Sequence, residues 1–124
     1  GFLVDKDGSR IDPRLKAKKL FKQEQLDDDA VGDALALREH DFVIYALSLK
    51  TGLDETMVRH ILDTKSAKAA TAMVWKAGLG MRLALEVQKQ LLKLAPRDLL
   101  CPRAGSDYPL SEEDMTWQIE FFTD

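Results

Sequence analysis

The chain has 124 residues, of which 45% are hydrophobic and 31% charged, with a formal net charge of −3 at pH 7. That is one domain's length, with enough apolar side chains for a core of its own. It excludes a bulk nucleic-acid binder, which would be basic, and a membrane span, since the longest apolar run is the six residues Phe42 to Leu47.

A lone cysteine, Cys101, cannot form an intramolecular disulfide and favours a reducing compartment, so the expected location is the cytoplasm. The N-terminus has no basic-then-apolar signal pattern, and Gly1 fits a tag scar. The charges are blocked: residues 1–26 carry net +3, 27–63 net −6, 64–103 net +6 and 104–124 net −6. Such blocks arise when neighbouring helices of opposite sign attract within one fold, or when a partner presents the complementary charge.

Residues 1–12 read as an N-terminal tail or small hairpin, with Asp7-Gly8 as its turn signal. A calcium loop fails there, because Leu3 would occupy the first ligand position and Arg14 the bidentate one. Residues 13–124 read as a single all-helical domain. Asp12-Pro13 caps and opens a basic first helix, with Ala17, Leu20, Phe21 and Glu24 on one face. The second helix starts near Asp28 or Asp29, with a stripe of Ala30, Val31, Ala34, Leu35 and Leu37, and His40 at its end.

Asp41 is the expected cap of a third helix, apolar on nearly every side from Phe42 to Leu49, and therefore the most buried element. Thr51-Gly52 ends it, and Asp54 caps a fourth helix with Met57, Val58, Ile61 and Leu62 inward. After Asp63–Ser66 comes a thin, alanine-rich helix ending at Gly78, a C-terminal cap in the left-handed conformation. The next helix is expected over 81–94, with Leu83, Ala84, Val87, Leu91 and Leu94 on one face and Arg82, Lys89 and Lys93 on the other. Pro96 opens an irregular loop to residue 110, and Ser111-Glu112-Glu113-Asp114 approximates a capping box for the last helix.

Two helix–Gly–Leu–helix units align on sliding the chain by 26 residues, Ala46–Leu53 over Ala72–Leu79. They read either as a short solenoid-like array or as two ordinary helical hairpins.

Few residues in the chain suit chemistry. There is no Gly-x-Ser-x-Gly elbow, and Gly78-Leu79-Gly80 lies between helices without the Lys-Ser/Thr of a phosphate loop. His40 and His60 have no second ligand at metal spacing, and Asp27-Asp28-Asp29 reads as a solvated helix start. Cys101 would need a histidine brought to it by folding. We therefore expect no catalytic residues, no metal and no cofactor. The sharper alternative is a helix-turn-helix reader of nucleic acid over Ser48–Ile61, whose packing skeleton is present. Its recognition helix would open with Asp54 and Glu55, which repel phosphates.

Three segments carry a resemblance: Tyr45–Leu53 with Val58, Ile61 and Leu62; Trp75–Leu79; and the tail Tyr108–Phe122. In these the chain resembles an uncharacterised, mainly alphaproteobacterial family of all-helical proteins, a domain of unknown function. The resemblance spans residues from Asp28 onward. It implies an α-helical, repeat-like fold and brings no catalytic residues. Family members carry further N-terminal helical repeats, where this chain has a short basic helix.

The expected architecture is six or seven short helices in antiparallel hairpins, arranged as a short solenoid or an orthogonal bundle. The expected function is a non-enzymatic interaction module for a protein partner or for itself. Candidate partner-binding residues are basic (Lys76, Arg82, Lys89, Lys93) and aromatic (Trp117, Phe121, Phe122). On a helix Trp117 and Phe121 align, while Ile119 and Phe122 point elsewhere. One pair packs inward. The other is left for a second copy in a homodimer, unless the 96–110 loop folds over it.

Overall fold

Helix starts in this chain coincide with side chains that can receive free backbone amides. The computed structural model describes residues 3–4 and 10–123. Within them Asp12, Asp27, Asp54, Ser66 and Ser111 accept hydrogen bonds from the amides of Arg14, Ala30, Met57, Ala69 and Asp114. These caps open α1 (Pro13–Lys22), α2 (Asp28–Ala36), α4 (Glu55–Asp63), α5 (Ala67–Lys76) and α7 (Glu112–Thr123). The remaining helices, α3 (His40–Thr51) and α6 (Met81–Gln90), have no side-chain cap. The fold is all-α. Ahead of α1, β1 (Leu3–Val4) pairs antiparallel with β2 (Arg10–Ile11), as a small hairpin requires. Its expected turn, Asp7-Gly8, lies outside the described residues.

Helix α2 starts at Asp28, as expected, and Asp27 caps it, because its extended backbone turns the carboxylate onto the Ala30 amide. Three local expectations are corrected. Leu37 was expected in the α2 stripe, but the helix stops at Ala36 and Arg38 turns left-handed at φ 58°. His40 therefore opens α3 instead of ending α2, and Asp41 lies in the first turn rather than at the cap. Finally, α6 ends at Gln90, not at residue 94. Lys93 adopts φ 55°, the Leu94 amide returns to the Gln88 carbonyl at 3.3 Å, and Leu92 is seated in the core.

The core is one cluster. In α3, Phe42, Val43, Ile44, Ala46 and Leu47 are buried, as its apolar circumference requires. The longest buried run, however, is in α5, where Ala69 through Val74 are all enclosed. Small side chains let α3, α4, α6 and α7 all approach α5. The packing series runs α1 on α3, α3 on α5 and α5 on α7, with α2 beside α3 and α6.

Two corners join the central helices. Gly52 (φ 80°) links α3 to α4 and Gly78 (φ 77°) links α5 to α6, each followed by an inward-packed leucine, Leu53 or Leu79. Side-chain ties across the fold then fix these corners. The Tyr108 hydroxyl donates to the Leu79 carbonyl at 2.7 Å, and Asp28 accepts from the Gly80 amide at 3.2 Å. Arg14 grips Glu55 with two hydrogen bonds of 2.9 and 2.8 Å while lying over the Tyr45 ring.

Candidate interaction surfaces

The Ser111 cap sets the rotation of α7, and that rotation settles which apolar residues go inward. Met115 and Ile119 are buried against α5, and Phe122 is half-buried beside them. Trp117 and Phe121 face solvent, 60% and 68% exposed, with ring centroids 5.9 Å apart. The 96–110 loop leaves them uncovered. Phe122 meets the His60 ring edge-on at 5.7 Å and the Phe121 ring at 5.2 Å. A cleft of about 400 Å³ opens between these aromatics and the corner at the end of α4, lined by His60, Thr64 and Ser66. Exposed Glu113 and Glu120 stand on the same outward side as Trp117 and Phe121, at helical spacing.

The other flank of α7 borders a larger groove of about 660 Å³, lined by Thr51, Leu53, Trp75, Lys76, Ile119 and Glu120. Here the structure separates the expected basic residues. Arg82 and Lys89, seven residues apart on α6, share a face. The Arg82 guanidinium donates to the Gly105 carbonyl at 3.3 Å, and Lys89 pairs with Glu86 of its own helix at 3.8 Å. Lys76 lines the α7 groove instead, and Lys93 has left the helix, so it is not on the α6 face assigned from the sequence. Among the described residues no ion pair within 4.0 Å joins α6 to the acidic α2 or α7.

A third surface lies around α1. On α1, Leu15 is 62% exposed, and Leu37 beyond α2 is 71% exposed. Two clefts that share Lys16 and Leu20 run between them. The one beside Leu15 holds about 490 Å³ and is lined by Ile11, Lys19 and Gln23, with no carboxylate. Its signals were present in the sequence: Leu15 falls outside the assigned α1 face, and α1 carries five cations and no anion.

The candidates for chemistry go separate ways. The His40 Nε2 atom hydrogen-bonds Gln90 Oε1 at 2.9 Å, the His60 ring lies against Phe122, and Cys101 is exposed on the loop. No three His, Cys, Asp or Glu side chains converge among the described residues. In the helix-turn-helix alternative, the first turn of α4 presents Asp54, which caps it, and Glu55, which Arg14 occupies. No described helix is long and apolar enough to cross a membrane. No family model, no curated protein and no solved structure matches the chain.

Proposed function

We propose that this chain is a non-enzymatic helical interaction module of the cytoplasm, binding a protein partner or itself through the outward side of α7. The observation that carries this reading is the exposure of Trp117 and Phe121 side by side on a helix that Met115 and Ile119 anchor to the core. Large aromatics left in water are the residue type that anchors interfaces, where each fills a pocket on the partner. Trp117 and Phe121 are the anchors, and Phe122, held by His60, sets the floor beneath them. The flanking carboxylates favour a basic partner surface and speed its approach. Arg82 and Lys89, which share a face of α6, offer a second site for an acidic partner.

The two Gly–Leu corners and the layered packing support a repeat-like helical scaffold, the fold implied by the family resemblance. A nucleic-acid reader is disfavoured, because Asp54 and Glu55 stand where phosphate donors would be needed. The test is affinity capture from the native cell, comparing the parent chain with a Trp117→Ser, Phe121→Ser variant. Circular dichroism checks that the variant keeps its helices. Loss of captured proteins is expected. An unchanged set would overturn the α7 reading, and Arg82→Glu with Lys89→Glu then probes the basic side.

A further inference from the structure

We infer that the α7 face is made for a second copy of this chain, which docks on it through α1 in head-to-tail order. This inference rests on the reading of α7 as an interaction surface and names its occupant. The five large hydrophobic side chains exposed among the described residues fall into two groups: Leu15, Phe21 and Leu37 on and around α1, and Trp117 and Phe121 on α7. Helices α1 and α7 carry opposite charge. Helix α7 contains Glu112, Glu113, Asp114 and Glu120 and no cation, whereas α1 contains Arg14, Lys16, Lys18, Lys19 and Lys22 and no anion.

Of the α1 cations, Arg14 is engaged by Glu55, and among the described residues none of the four lysines has a carboxylate within 4.0 Å. Lys16 and Lys19 flank the apolar cleft beside Leu15, which therefore suits an aromatic side chain bordered by carboxylates. Outward α7 presents that combination. Within one chain α1 lies against α3 and α7 against α5, and among the described residues no ion pair within 4.0 Å joins α1 to α7. Between copies the match is heterologous, and each molecule keeps one free α1 and one free α7 for the next. A standard interface needs roughly 800 Å² from each partner, about a tenth of this chain's 7362 Å².

The experiment is light scattering on the purified full chain over a wide concentration range. Two surface variants accompany it: Trp117→Ser with Phe121→Ser, which blocks α7, and Leu15→Ser with Lys19→Glu, which blocks α1. The parent chain is expected to exceed the 14.0 kDa of one chain, increasingly so with concentration, and to fall back as salt screens the charges. Each variant alone is expected to stay at one chain's mass. Mixed in equal amounts, they should form a species of twice that mass, since each supplies the face that the other lacks. That rescue also shows both variants to be folded. Association that survives the α1 block but not the α7 block means a symmetric α7 contact and overturns the proposal. A parent chain that stays at one chain's mass throughout also overturns it, while leaving the α7 reading to stand or fall on the capture experiment.

Discussion

Gln88 and Leu100 face each other as two residues of paired strands would. The buried Gln88 side chain donates from Nε2 to the Leu100 carbonyl at 3.0 Å and accepts at Oε1 from the Leu100 amide at 2.8 Å. One side chain thus satisfies both backbone groups at the centre of the long loop between α6 and α7. A second bond from Nε2 to the Ala84 carbonyl, at 3.3 Å, fixes the amide's orientation.

Gln88→Leu keeps the bulk but leaves the Leu100 N–H and C=O without partners. It should lower the unfolding free energy by about 2 kcal/mol, measured by urea titration. Gln88→Glu should cost more, because a carboxylate cannot donate to the Leu100 carbonyl and its charge would be buried. A loss under about 0.5 kcal/mol for both would mean that the loop is held by its apolar contacts instead.

The Thr71 hydroxyl is fully enclosed in α5 and has no hydrogen-bond partner among the described residues. Thr71→Val replaces it with a methyl of the same shape and should stabilise the chain by about 1 kcal/mol. Thermal unfolding checks this. A lower melting temperature would indicate a partner for the hydroxyl.

Burial pushes the Tyr108 phenol well above its ordinary value of 10.0, and the nearby Asp28 charge pushes the same way. The folded state therefore holds this proton more tightly than the unfolded state. The associated stability is complete below about pH 10 and drains away as pH rises beyond it. Tyr108→Phe should lose about 1 kcal/mol at neutral pH with the bond to Leu79. Its stability should fall less steeply than the parent's above pH 10. Parallel curves would show that Tyr108 does not carry the alkaline loss.

Leu47 is fully buried in α3. Leu47→Ala should cost about 2–5 kcal/mol by equilibrium denaturation, from lost transfer energy and the cavity left behind. A near-neutral result would mean that α3 is not part of the rigid core.

The helices were legible because their starts and stops are written in local chemistry, such as Asp12-Pro13, Thr51-Gly52 and Ser111. What the sequence hid was set by partners distant in the chain. Nothing near Gln90 announces that α6 stops there, since its end depends on Leu92 reaching the core. The separation of Trp117 and Phe121 from Ile119 and Phe122 was readable from helical periodicity, but which pair turns inward was not, since α5 decides it. Nor was the separation of Lys76 and Lys93 from Arg82 and Lys89, because residues on different elements share a surface only through tertiary packing.

The enclosure of α5 by four other helices also sets an order of opening in time. A ten-residue helix of mostly small side chains is too short to persist alone, so its amides reach solvent only when its neighbours leave together. In deuterated water α5 should be the last helix to take up label, at the rate of global unfolding. Helix α1, whose buried residues are only Pro13 and Ala17, should exchange through partial openings long before.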